Sequence, residues 1–177
     1  MKAVGFDPGV HGGLAIVVQN ADGVTKLVDA IDIPTIGTGA KERADVIAVQ
    51  AWLARHGPQI AFIERAQAMP RQGASSGFKY GRATGALEAT IALTAIPLEL
   101  VEPSKWKKFF NLPGKDKEAA RQRAIAMFPN YHGLLARKRD HGRAESALIA
   151  VFGLRTGLAG IATSAPLVPQ SAESALS

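Results

Sequence analysis

Apolar and polar positions divide the chain into short strand-like runs followed by longer helical ones. KAVGFD (2–7) and GGLAIVV (12–18) are compact apolar runs separated by PGVHG, a turn rich in glycine and proline. VTKLVDAIDI (24–33) follows the turn NADG and predicts a third strand, so the first three form an antiparallel meander. The spacing then lengthens. KERADVIAVQAWLARHG (41–57) predicts a helix with Val46, Val49 and Leu53 on one stripe and Gly57-Pro58 as its stop. QIAFIE (59–64) is the continuous apolar run of a buried central strand. Residues 75–95 predict a helix with Gly81 and Gly85 on one face, suited to close helix packing, and PLELVE (97–102) predicts a fifth strand. Further helices are expected at SKWKKFF (104–110), at DKEAARQRAIAMF (116–128) and from about Arg143 to Leu154. The sum is an α/β fold: a five-stranded mixed sheet with helices on both faces.

Length and composition add limits. The 177 residues suit one domain over 1–158, followed by an Ala/Ser/Pro-rich tail, 159–177, that reads as poorly ordered. There is no cysteine, which removes disulfides and thiolate metal sites. No signal-peptide core or membrane-length apolar run is visible, so a cytoplasmic protein with no membrane partner is expected. The net charge of +6 is unevenly spread: residues 103–143 hold eleven cations against Asp116, Glu118 and Asp140. A second basic group, Arg65, Arg71, Lys79 and Arg82, follows Glu64. Basic regions around isolated acids suit a polyanion such as nucleic acid, while a solvated surface with incidental lysines would look the same.

The acids carry the chemistry. Asp7 and Glu64 each close an apolar strand at its C-terminal end, where α/β sheets tend to place their sites. If those strands are neighbours, the two carboxylates meet, and Asp140 and Glu145 at the start of the last helix can join them. Carboxylates gathered this way repel, and a metal ion is the natural compensation. Hard oxygen ligands favour Mg²⁺ or Mn²⁺, and two such ions roughly 3.5–4 Å apart support phosphodiester hydrolysis. Each residue also has a plainer explanation. Asp7-Pro8-Gly9 reads as a turn, Glu64 as a salt-bridge partner for Arg65, and Asp140 with Glu145 as an N-cap and a first-turn charge. Trp106, Phe109 and Phe110 read as core rather than as DNA-stacking groups.

Taken in order, FDPGVHGGLAIV, AFIERAQAMPRQGASSGFKYGRATGALEA, VEPSKWKKF, GKDKEAARQRA and DHGRAESALIA resemble the RuvC-type Holliday junction resolvases, especially the small members encoded by bacteriophages and prophages. The resemblance spans the chain to about Gly153. It implies an RNase H-like fold, a homodimer, and paired cutting of four-way DNA junctions in the bacterial cell with divalent metal ions. Carried over by position, it makes Asp7, Glu64 and Glu145 catalytic metal ligands. The usual fourth position, three residues before the last acid, is Gly142 here, so Asp140 is favoured, with His141 in reserve as ligand or proton carrier. The loop after Glu64 would reach the junction centre. An aromatic of classical members corresponds to Gln67, leaving Met69 or Phe78 as the wedge between bases. Arg71, Lys79, Arg82, Lys105, Lys107 and Lys108 would hold phosphates. Three rivals stand beside this reading: an actin-like ATPase, for which length and a second phosphate loop are lacking; a silent junction-binding protein; and a nuclease preferring flaps or forks.

Overall fold

A computed structural model describes residues 1–66, 73–112, 114 and 116–157. The expected tail, Met69, Arg71 and Gln67 lie outside them. The first strands are β1 (Lys2–Asp7), β2 (Gly13–Gln19) and β3 (Thr25–Asp32), the antiparallel meander expected. A two-stranded hairpin follows, β4 (Thr35–Ile36) with β5 (Arg43–Ala44), and then helix α1 (Val46–His56) and strand β6 (Ile60–Glu64). Helix α2 (Ala74–Leu93), strand β7 (Leu98–Val101) and helices α3 (Pro103–Phe109), α4 (Lys117–Met127), α5 (His132–Leu135) and α6 (His141–Arg155) complete the order.

The main sheet runs β3-β2-β1-β6-β7, with β6 parallel to β1 and β7 parallel to β6. Its central strands are apolar throughout because both faces are covered. Along β1, β2 and β6, Ala3, Ala15, Val17, Ile60 and Phe62 pack into the layer of α3, α4 and α6, whereas Val4, Phe6, Leu14, Ile16, Ala61 and Ile63 pack against α1 and α2. Each such strand residue is removed from water on one side or the other, which is why no polar alternation marks these strands.

Two expectations need correction. The helix read from Lys41 begins at Val46: residues 35–44 form the hairpin, and the Asp45 side chain caps the helix by accepting from the Ala48 amide at 3.1 Å. Helical periodicity upstream of a cap says nothing, because the cap ends the helix regardless of the residues before it. Gly81 and Gly85 were expected to serve close helix packing. Among the described residues a methyl group at either would meet nothing within 4 Å, so that face of α2 is unpacked in the single chain.

Candidate active site

β1 and β6 run side by side with Phe6 next to Ile63, so the following residues, Asp7 and Glu64, end neighbouring strands at one sheet edge. The period-two alternation sends both side chains toward the α6 layer: Asp7 shares a face with Ala3 and Gly5, and Glu64 with Ile60 and Phe62. Glu145 comes from that layer, one turn into α6, and is buried.

Small residues let α6 come so close. A side chain at Gly5 would collide with the backbone carbonyl of Ser146, and one at Gly142 would lie 2.7 Å from the Gly12 carbonyl carbon. Glycine at both positions allows backbone to pack on backbone, and this seats the start of α6 against the strand ends. Arg143 braces the same junction, donating to both oxygens of Asp32 at the end of β3, each at 2.7 Å.

The three acids share one field. Burial, then Glu145 and Glu64, push the Asp7 carboxyl well above the usual carboxylate range, against the pull of Lys117 and Lys107. Burial also raises Glu64, with Glu145 adding to it; the Trp106 indole opposes this by donating to Glu64 Oε2 at 2.7 Å. Glu145 is raised by burial, with Lys107 and Lys117 holding it down. Among the described residues no three acid or histidine side chains close as a finished cage. Three carboxylates repel one another, so the closing of such a cage depends on the cation that joins them.

Asp140 is held differently. It is fully buried, and burial alone would raise it. The Arg137 guanidinium (2.7 and 3.0 Å) and backbone amide (2.8 Å), with Arg143 nearby, bring it below the usual range. Both its oxygens are thus taken. It makes no side-chain cap to α6. His141, by contrast, bonds one of the site's cations: its Nε2 is 3.2 Å from Lys117 Nζ, and Lys117 acts on all three acids. Burial first, then Lys117, lowers the His141 ring and favours its neutral form.

Arg65 pairs with Glu102 at 3.0 Å, not with Glu64. Trp106 is core, as its spacing suggested, and also orients Glu64. Phe110 is buried with it, while Phe109 is exposed. Phe78 is 71% exposed, and Lys79, Arg82, Lys105 and Lys108 are exposed around it and along α3. Lys107 is half-buried, its ammonium 5.2 Å from the Trp106 ring.

Two residues escaped the sequence reading. Lys117 follows Asp116, which caps α4 by accepting from the Glu118 and Ala119 amides; that cap aims the first turn at the acids, and the capping pattern was its one available signal. Tyr80 extends the buried α2 stripe of Ala83, Thr84 and Leu87 toward the same sheet edge. Burial, then Glu64, Asp7 and Glu145, push its hydroxyl up, so it stays a protonated donor.

A five-stranded sheet in this order, with carboxylates on two adjacent strand ends and on the crossing helix, defines a nuclease domain of the RNase H-like class. The family model described as "Crossover junction endodeoxyribonuclease RuvC" matches residues 3–149, and the chain belongs to that family. Among solved structures, T. thermophilus RuvC in complex with a Holliday junction substrate is 22% identical, with a TM-score of 0.63 over 89% of this chain and 97% of that one. The fowlpox virus resolvase, solved with substrate Holliday junction DNA, is 14% identical (TM-score 0.55; 89% and 99% covered). The yeast mitochondrial Holliday junction resolvase Ydc2 is 16% identical (TM-score 0.53; 86% and 78% covered). These likenesses establish the shared fold. No curated protein matches the chain.

Proposed function

We propose that this chain resolves four-way DNA junctions by divalent-metal-dependent hydrolysis of phosphodiester bonds, acting as a homodimer on paired strands inside the bacterial cell. The observation that carries the reading is the meeting of Asp7, Glu64 and Glu145, from two strands and a helix, each with its carboxyl raised by burial. Acids held above their usual range bear an uncompensated cost when ionised, and a hard cation with oxygen ligands offsets it. The donor set therefore fits Mg²⁺ or Mn²⁺.

Asp7, Glu64 and Glu145 would hold the metal. His141 is the better fourth donor, because its ring is free of carboxylates while Asp140 is bound to Arg137. Asp140 then serves by fixing the turn that leads into α6. When bound, two such ions would activate a water and stabilise the leaving oxygen. Lys107 and Lys117 would supply positive charge for the phosphoryl oxygens, and Tyr80 a neutral donor. In the reaction the water oxygen bonds to phosphorus and gives up a proton to solvent, the bond from phosphorus to the leaving sugar oxygen breaks, and that oxygen takes a proton from solvent to leave as the hydroxyl. Basic residues beyond the site would hold the arms: Arg71, Lys79, Arg82, Lys105 and Lys108 on phosphates, with Met69 or Phe78 as wedge. A dimer is supported by the outward face of α2, where Phe78, Gly81 and Gly85 leave an unpacked stripe ending near the exposed Leu93.

The test is cleavage of a labelled synthetic four-way junction beside linear duplex, flap and fork controls, in Mg²⁺, Mn²⁺ or EDTA. Paired symmetric nicks on the junction, lost in EDTA and in Asp7→Asn, are expected. Junction binding without cutting in either metal would overturn the enzyme reading, and stronger cutting of flaps or forks would move its substrate.

A further inference from the structure

Beside the Asp7 loop, a cavity of about 210 Å³ opens between the β4–β5 hairpin and α2. Its floor is apolar, built from Val10, Ala44 and Ala83, and its rim carries Arg43, Lys79 and Arg82. On α2 the spacing of 79, 82 and 83 puts two cations and one small residue on a single face, so the wall recedes between the charges. Arg82 is anchored: its Nη2 donates to the Glu42 carbonyl at 3.2 Å, tying α2 to the hairpin. Arg43 sits opposite, paired across the hairpin with Ile36.

The charges around this cavity are unbalanced. Among the described residues neither Arg43 nor Lys79 has a carboxylate in ion-pair range. The nearest acid in sequence, Glu42, turns its carboxylate to the Thr35 hydroxyl at 3.2 Å and lines the neighbouring cavity, with His11 and His141. Three cations therefore line one cavity with no carboxylate paired to them among the described residues, and an anion is the complementary occupant. Guanidinium forks suit phosphate oxygens in particular.

We infer that this cavity is a binding site for one backbone phosphate of the DNA strand being cut, held by Arg43, Lys79 and Arg82. The site rests on the nuclease reading above and deepens it. Val10 follows Asp7 by three residues, a reach of about 10 Å at most. A DNA strand rises about 3.4 Å per nucleotide. The gripped phosphate therefore lies on the order of three nucleotides from the cut. The hairpin, which has no part in the acidic cluster, acquires a role: it supplies the second wall of the grip.

The experiment measures junction binding by the full chain in Ca²⁺ or EDTA across a range of salt, so that it does not depend on cutting. Arg43→Gln with Lys79→Gln removes two cations and leaves the Arg82–Glu42 tie intact; Lys26→Gln with Arg55→Gln, both exposed and remote from the cavity, removes the same charge. Losing one phosphate contact should make the slope of log K against log salt shallower by about 0.9. Roughly tenfold weaker binding should accompany it at moderate salt, with the control pair within twofold. Phosphate-ethylation interference should show a position on the order of three nucleotides from the cut that stops interfering in the double variant. Equal behaviour of the two double variants, or no such phosphate, overturns the site while leaving the nuclease reading intact. Loss of binding and of the interference signal in a chain that never cuts would leave a phosphate grip but overturn its placement beside a cut, together with the nuclease reading. A wild-type chain that does not bind junctions overturns both.

Discussion

Placing a methyl group on Gly142 tests how the fold positions Glu145. Its Cβ would stand 2.7 Å from the Gly12 carbonyl carbon and 3.0 Å from the Gly12 Cα and the Gly13 amide nitrogen, where ordinary contact begins at 3.4 Å. All three neighbours are backbone, so no side chain can swing aside. Either α6 or the turn before β2 must retreat by about 0.7 Å or more, the difference between the closest approach and ordinary contact. Overpacking of this kind costs about 1–3 kcal/mol, and in the first turn of α6 alanine recovers only part of the roughly 0.8–1.0 kcal/mol it gains over glycine in a helix interior. At about 2–4 °C per kcal/mol for a chain of this size, Tm should fall by several degrees. Activity should suffer more. Glu145 lies one turn further along the displaced helix, and a misplacement near 1 Å costs on the order of 100-fold in rate. The assay is junction cleavage under single-turnover conditions, with junction binding and thermal unfolding measured on the same preparation. Gly133→Ala, in α5 where a methyl meets nothing within 4 Å, is the control and should be neutral or slightly stabilising. If Gly142→Ala cuts at the wild-type rate and melts with the wild type, close backbone packing is not what seats Glu145.

Other outcomes follow from the electrostatics. Asp7 is raised in the folded chain, so its ionisation destabilises the fold: stability is fullest below the unfolded carboxylate range and declines as pH rises through the folded value. Asp7→Asn should therefore melt higher than wild type at neutral pH in EDTA, and Mn²⁺ at a hundred times its Kd should raise the wild type by about 2.7 kcal/mol and the variant by less. Melting curves with and without metal check both. Asp140 has the opposite sign: its carboxyl is depressed, so the stability it contributes is present above the unfolded range and lost as pH falls through the folded value. Arg137→Gln should lower Tm at neutral pH, with the gap to wild type closing in acid; a gap independent of pH would contradict the pairing. Tyr80→Phe removes one hydroxyl and should slow cutting on the order of tenfold with junction affinity unchanged. A proportional loss of affinity would instead make Tyr80 a binding contact.

Much of the candidate site is legible in the sequence because its signals are local. Asp7 and Glu64 stand out as single charges ending apolar strands, and a strand end is readable from a handful of neighbours. Glu145 is less visible: alone it looks like a first-turn helix charge, and the ordered set of motifs singled it out. The status of Asp140 could not be read, since it depends on Arg137 three residues earlier turning its guanidinium inward rather than to solvent. Lysines look alike along the chain: Lys117 and Lys108 are both exposed, and only the Asp116 cap sets Lys117, which acts on the acids, apart.

The apolar runs and their lengths determined the five strands of the main sheet and the main helices, because burial on both faces leaves the central strands continuously apolar; the β4–β5 hairpin left no such mark. Which groups meet was decided only by the tertiary structure. The parallel pairing of β1 with β6 sets Asp7 beside Glu64, although 56 residues of chain separate them. The glycine contacts between α6 and the strand ends bring in Glu145, and the hairpin folds Arg43 over α2. Contacts of that kind depend on the joint packing of distant segments, whose free energy no single stretch of sequence contains.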